Sequence, residues 1–338
     1  MKKLLFIIAL LIGATYLWYT LSLRPADASS EQRVSVTVKA GSTTTHILEQ
    51  LKENGLIRSS LATKIYMKLN GLDGSLQAGV FLLKESFDVP TVIRMLQLGK
   101  GEEIAITIPE GYTVKDIDAV LAEVGLSEPG AIIDCANTCD FSSFEFLPTD
   151  TSELAKRGGK LEGYLFPDTY YAPVEFVPKF FLERMLGNFR KQVLTPYESV
   201  IEADSHSLHE IITMASLVEK ESRHDDERST VAAILWKRLG EDWGLGVDAA
   251  VRYIVDKPTD EITAGDLNVN SPYNLRKFRG LTPGPIANPG KKSIEAVLYP
   301  KETRYWYYLH DKEGSIHYSE TNDEHNTKRY MYLGGGSK

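Results

Sequence analysis

The chain has 338 residues, 43% apolar and 25% charged, which is enough for substantial cores and a prior of two domains. Its 38 basic against 46 acidic side chains leave a net charge of −8. Without a Lys- and Arg-rich surface to release counterions from phosphates, nucleic acid is excluded as a partner.

Met1-Lys2-Lys3 is followed by an uncharged run over 4–21 that carries Tyr16, Trp18 and Tyr19 before Arg24 and Pro25. About 18 residues at 1.5 Å each come close to a hydrocarbon core of ~30 Å, so residues 4–22 are expected to form a transmembrane helix anchoring the chain in the membrane. The alternative is a signal peptide cleaved at Ala26-Asp27-Ala28, although such peptides have a shorter apolar stretch of about 7–15 residues. Lys2 and Lys3 hold the N-terminus in the cytoplasm, so the expectation is a single-pass inner-membrane protein with its domains outside.

After a polar linker at 24–32, Val34, Val36 and Val38 alternate as in a strand, and Ile47, Leu48 and Leu51 recur at helical spacing. The pattern returns at a constant offset of 70: Gly41/Gly111, Thr43/Thr113, Ile47/Ile117, Leu51/Leu121, Glu53/Glu123, Gly55/Gly125 and Leu56/Leu126. This spacing predicts a duplicated strand-turn-helix unit in which each Gly makes the turn and the Ser or Thr after it helps cap the helix. A helix at about 59–70, a strand around 79–83 and a helix around 90–98 complete a small α+β module, residues 33–108. It is similar to LysM modules; the alternative is a plain spacer.

Cys135 and Cys139 are close enough in sequence to be joined as a local clip in an exported domain, and two cysteines make no metal site. Helical patterns follow at 178–192, 207–222 and 226–239, with a strand-like run at 305–309. The catalytic candidates therefore fall in a second domain, 109–333, and the Gly-rich end, 334–338, is expected to be a disordered tail.

No nucleophile elbow, phosphate loop or dinucleotide fingerprint is present. His209-Glu210 begins like a zinc-protease motif, but Thr213 stands where the second histidine belongs, so zinc is not expected. What remains is Glu219-Lys220-Glu221-Ser222, at the end of a helix apolar at 208, 211, 212, 215 and 218, with Met214 and Leu217 on a second flank. Periodicity turns Glu219 inward along the main stripe and sets Glu221 beside Met214 and Leu217. A carboxyl against such neighbours has a raised pKa, as a general acid near neutral pH requires. The blander alternative is surface pairing with Lys220, Arg223 or Arg228.

The segments 161–170 and 214–222, Ser271-Pro272-Tyr273-Asn274, 280–290, and His317 with Glu324-His325-Asn326 together resemble the endolytic murein transglycosylase (YceG-like) family over nearly the whole chain. The resemblance implies an α+β fold with a lysozyme-like catalytic part, and makes Glu221, with Ser222 completing the pair, the catalytic acid. It further implies an endolytic cut of the MurNAc-β-1,4-GlcNAc bond within glycan strands, 1,6-anhydro-MurNAc ends, no cofactor, and release of nascent strands near peptidoglycan synthases. Glu219, Asp248, Tyr253, Tyr273, Asn274, Asn288, Glu162 and Tyr164 are the expected substrate-binding residues. In 245–253 this chain keeps Asp248 and Tyr253 of a family pattern, but Gly246, Ala249 and Ala250 replace its Gln, Pro and Thr, so no Gln side chain is available there. The rival readings are an inactive glycan-binding scaffold and a hydrolase of the same bond with Asp248 as second carboxylate.

Overall fold

A computed structural model describes residues 2–30, 33–39, 41–98, 103–150, 154, 158–173, 176–255, 257, 262–263 and 265–334. The expected tail falls, apart from Gly334, outside the described residues. The chain is α+β and divides into two units, Met1–Ile106 with Tyr171–Phe176, and Thr107–Tyr170 with Val177–Lys338.

In the first unit the N-terminal run forms helix α1 (Lys2–Ser22). Among the described residues no helix is long and apolar enough to cross a membrane, which overturns the expected transmembrane helix and with it the expected anchorage through that helix. Its second half carries Gly13, Thr15, Tyr16, Tyr19, Thr20 and Ser22 among its apolar residues. Thr15 and Thr20 fold their hydroxyls back onto the carbonyls of Leu11 and Leu17. The helix ends against its own unit: Ser22 is buried, and the Leu23 carbonyl accepts from Val89 N–H at 3.0 Å.

Strand β1 (Arg33–Val38) pairs antiparallel with β2 (Gly79–Lys84), setting Val36 opposite Phe81 and Val34 opposite Leu83. Between them run α2 (Thr44–Glu53) and α3 (Ser60–Leu69), and α4 (Val89–Leu98) follows. The alternating valines and the helical stripe meet in one core of Val36, Val38, Ile47, Leu48, Leu51, Phe81, Ile93 and Leu96. This supports an α+β module, without support for the expected likeness to LysM modules.

The duplication is visible in the backbone. Strand β3 (Glu103–Thr107) and helix α5 (Val114–Glu123) stand 70 positions after β1 and α2. Thr43 and Thr113 are both N-caps, Gly41 and Gly111 turn at φ +82° and +77°, and Gly55 and Gly125 both leave their helices at +72°. After α6 (Ala131–Thr138), whose Cys135 is disulfide-bonded to Cys139, strand β4 (Thr169–Pro173) pairs with β3. The division between the units passes through these two strands.

The second unit continues with α7 (Pro178–Phe189), a π-helical turn at Arg190–Leu194, α8 (Thr195–Ala203), α9 (Leu208–Glu221), α10 (Asp225–Gly240) and α11 (Asp248–Val255). Helix α12 (Lys291–Leu298), the hairpin β5 (Tyr307–His310) and β6 (Ile316–Ser319), and α13 (Asn322–Leu333) close it. Helix α9 is the axis of this unit. Ile211 to Val218 are all buried, and α10, α11 and α12 pack around it. Its start is fixed by a capping box in which Ser207 accepts from Glu210 N–H and Glu210 accepts from Ser207 N–H, so the Glu of the zinc-like motif is a helix cap.

One glycine sets how closely the 280–290 loop approaches. Gly163 has φ +88°, and a Cβ there would lie 2.4 Å from Pro285 Cγ and 3.0 Å from Ile212 Cγ2. Gly163→Ala is expected to cost about 2–4 kcal/mol, from left-handed strain plus overpacking against a ring that cannot yield. Urea unfolding checks this, with a lowered midpoint at unchanged slope as the expected result.

Candidate active site

Glu221 is the last residue of α9, half-buried, with Oε2 accepting the Tyr308 hydroxyl of β5 at 2.9 Å. Burial pushes its carboxyl up to about 7, against the Tyr308 hydrogen bond and the charge of Arg252, which pull it down; Asp248 pushes it up. Ser222 ends the helix in extended conformation, its N–H on Val218 O, and its buried hydroxyl has no partner among the described residues. Arg238 reaches the same region from α10. It donates to Trp306 O at 2.9 Å and Leu245 O at 2.8 Å, with its guanidinium 5.9 Å from the Tyr308 ring.

Glu219 points elsewhere. Its Oε2 accepts from Gly290 N–H at 3.0 Å and Ser293 Oγ at 2.7 Å, and lies 3.2 Å from Arg228 Nη1. The inward direction read from periodicity is correct, and it leads to a clamp on the start of α12. Glu219 and Glu221, two residues apart, serve opposite sides of the helix.

The remaining candidates form two sets. Asp248, first residue of α11, lies in the field of Glu221 and is ion-paired with Arg276 at 2.7 Å on a half-exposed surface. Gly246 just before it turns at φ +65°, a backbone that the Gln of the related pattern would adopt only with strain. Glu162, Tyr164, Tyr253, Tyr273, Asn274 and Asn288 are all buried. Glu162 accepts from Val114 N–H at 3.1 Å, Tyr253 Oη at 3.0 Å and Asn288 Nδ2 at 3.3 Å. Asn288 also donates to Tyr112 O and accepts from Leu165 N–H, and Asn274 donates to Leu267 O and Val269 O. Tyr273 packs its ring 5.6 Å from that of Tyr253. The Tyr164 hydroxyl meets His209 Nδ1 at 2.9 Å, while His209 Nε2 donates to Pro283 O at 2.8 Å. These side chains fasten loops to the core, and the segment 280–290 is buried from Gly284 through Gly290.

Sequence reasoning missed Tyr308, Arg238 and Arg252. Each lies on a predicted or observable element, but no local pattern says which ring of Tyr305-Trp306-Tyr307-Tyr308 faces α9.

Residues 36–330 match the model of the YceG-like family. This chain belongs to the YceG-like family. The endolytic murein transglycosylase of Bacillus subtilis (strain 168) is 34% identical, covering 96% of this chain and 91% of that protein. The protein of the same name from Streptococcus pneumoniae serotype 2 (strain D39) is 31% identical over 94% of this chain; the alignment spans 62% of that longer relative. A 2.6 Å crystal structure of a yceG-like protein from Listeria monocytogenes matches at a TM-score of 0.62 and 29% identity, over 88% of this chain and 100% of the other.

Two pH effects follow for this YceG-like chain. Removing the Tyr308 hydroxyl takes away a contact that stabilises the charged form of Glu221, so Tyr308→Phe is expected to move the alkaline limb of the activity–pH profile upward from about 7. Initial rates of strand cleavage between pH 5 and 9 check this; a limb that stays in place refutes the assignment of that limb to Glu221. Burial also raises Glu162, to about 8, against the hydrogen bonds of Tyr253 and Val114 that lower it. The folded chain therefore keeps a proton that the unfolded chain loses above the ordinary carboxylate value, and stability falls as pH rises toward 8, by up to about 1.4 kcal/mol per unit. In Glu162→Gln this contribution is gone, so its melting temperature is expected to decline less than that of the parent between pH 6 and 8.5, as read by calorimetry.

Proposed function

We propose that this chain cuts peptidoglycan glycan strands internally at the MurNAc-β-1,4-GlcNAc bond with Glu221 as the single acid and base. That it is a peptidoglycan lytic transglycosylase rests on family membership and on relatives named endolytic murein transglycosylase. The one observation that carries the finer reading is a carboxyl at the end of a buried helix, raised to about 7 and oriented by Tyr308.

At that value the carboxyl is protonated in a large fraction of molecules near neutral pH, yet its carboxylate is still basic enough to take a proton back. Protonated Glu221 gives its proton to the glycosidic oxygen as the bond to C1 breaks. The C6 hydroxyl of the same muramyl sugar then attacks C1, and the Glu221 carboxylate takes the hydroxyl proton. The products are a free 4-hydroxyl on one fragment and a 1,6-anhydro ring on the other, with no water consumed. Since one group serves both steps in turn, a second catalytic carboxylate is not obligatory. Asp248, ion-paired with Arg276, is left as a charge that tunes Glu221. The substrate is extracytoplasmic, as is the oxidising environment in which a Cys135–Cys139 bond persists. Cutting within strands frees nascent glycan from the synthases that extend it.

Mass spectrometry of purified peptidoglycan after incubation with the chain is expected to find 1,6-anhydro-muramyl ends. Glu221→Gln is expected to lower their rate of formation by about 10²- to 10⁴-fold. Reducing ends instead would identify a hydrolase, and intact strands with the unaltered chain would identify a binding scaffold.

A further inference from the structure

A glycan strand alternates two sugars, so it presents two kinds of β-1,4 bond that differ little in shape. An enzyme that cuts one kind must sense which sugar lies on which side of its acid. Of the two sugars, only the muramyl unit bears a carboxylate, on its lactyl ether or on the stem peptide joined to it.

The second unit has a cavity of about 260 Å³ whose lining includes Lys115, Lys220, Arg252 and Lys257 against one carboxylate, Asp116. This is a cationic site in a chain of net charge −8. Asp116 is engaged by the N–H and hydroxyl of Thr113 in the capping box of α5, and Lys257 is held by both oxygens of Asp266. Lys220 donates to a neutral acceptor, Gly111 O, at 3.1 Å. Arg252 has no hydrogen-bond acceptor among the described residues. Two cations thus face one cavity with no direct ion pair to a carboxylate among the described residues, Arg252 acting through space on Glu221 and Lys220 on Glu162.

The cavity adjoins the catalytic candidate. Arg252 lies one helical turn beyond Asp248 on the same face of α11, and both act on Glu221 through space. At the Asp248 end a separate groove is lined by the exposed rings of Trp243 and Phe278, surfaces on which a sugar face stacks, and by Arg276, Lys277, Arg279 and Arg329, of which Arg276 and Arg279 are paired with Asp248 and Asp242. A polymer lying along α11 would pass Glu221 with aromatic rings on one side and the cationic cavity on the other.

We infer that Arg252 and Lys220 form a carboxylate subsite that holds the muramyl side of the strand and so sets the register of cleavage. This rests on the glycan-cleaving reading above and adds to it the ligand chemistry of one flank. A guanidinium suits the task because its planar fork takes a carboxylate through two parallel hydrogen bonds.

The test measures binding by calorimetry in the full chain carrying Glu221→Gln, so that turnover does not intervene. Three ligands of equal length are compared: strands bearing stem peptides, strands stripped of peptides so that lactyl carboxylates are exposed, and N-acetylglucosamine oligomers, which have no carboxylate. Adding Arg252→Met is expected to raise Kd about 10- to 100-fold for a carboxylate-bearing ligand while leaving the neutral oligomer unchanged. Loss confined to peptide-bearing strands assigns the carboxylate to the stem peptide, and loss confined to stripped strands assigns it to the lactyl group. Lys220→Met, read separately, is expected to give the same pattern. Equal loss on all three ligands, or no loss on any, overturns the subsite. Absence of anhydro ends from the unaltered chain, with the Arg252-dependent difference intact, would refute the reaction and leave the subsite standing.

Discussion

One oxygen of Glu219 holds the end of α9 to the helices around it. It accepts an N–H from Gly290 and a hydroxyl from Ser293 and is ion-paired with Arg228, and so ties the last turn of α9 to the start of α12 and to α10. Hydrogen bonds to a charged group contribute about 1.5–3 kcal/mol each, and removing one partner of a buried ion pair costs about 3–5 kcal/mol, so this turn is far from the frayed end that an isolated helix would have. The next carboxylate along, Glu221, is thereby presented from a fixed backbone. Helical geometry separates the two roles: a side chain two positions on points roughly opposite, so one glutamate clamps while the other meets Tyr308 and the charges of α11.

The burial that makes the clamp possible also raises the carboxyl of Glu221, the proposed acid. An apolar helix packed on three sides desolvates whatever sits at its end, and desolvation raises a carboxyl. Left alone, that effect would keep the proton too firmly for the group to act as an acid. The hydroxyl of Tyr308 and the charge of Arg252 oppose it, and the balance settles at about 7. Arg238 is arranged by the same logic from the other side: its donors go to the carbonyls of Trp306 and Leu245, which place the β5 strand and the loop before α11 relative to the end of α9.

Much of this was legible in the sequence wherever the information is local. The offset of 70 gave matching caps, turns and helix lengths, because capping residues and left-handed glycines act within a few positions of themselves. The pattern at 207–222 and its apolar stripe lie within a residue of the limits of α9, Leu208–Glu221. The partners of the buried polar groups were hidden by distance along the chain: Glu221 meets Tyr308 87 residues away, and Glu162 meets Asn288 126 away. Periodicity reports that a residue faces inward without reporting what it meets. For that reason the sequence does not announce that six of the expected substrate-binding residues, Glu162 and Asn288 among them, are buried. At the N-terminus, the length and lack of charge of residues 4–21 point to a span, yet no helix among the described residues is long and apolar enough to cross a membrane.

The two copies of the duplicated turn show how an ordinary structural unit becomes part of a site. Gly41 and Gly111 have nearly the same φ and precede helices of equal length, so local geometry does not distinguish them. Around Gly41 a side-chain carbon would meet nothing within 4 Å. Around Gly111 it would meet Glu219 Cγ at 3.4 Å and Lys220 Cδ at 3.8 Å. The Gly111 N–H donates to Asn288 O at 2.8 Å and its carbonyl accepts from Lys220. The second turn therefore touches the clamp, the buried loop and the cationic cavity at once, while the first keeps only its own fold. What separates the second turn from the first is the set of long-range partners it acquires, since the Gly, the capping Thr and the backbone φ are shared by both copies.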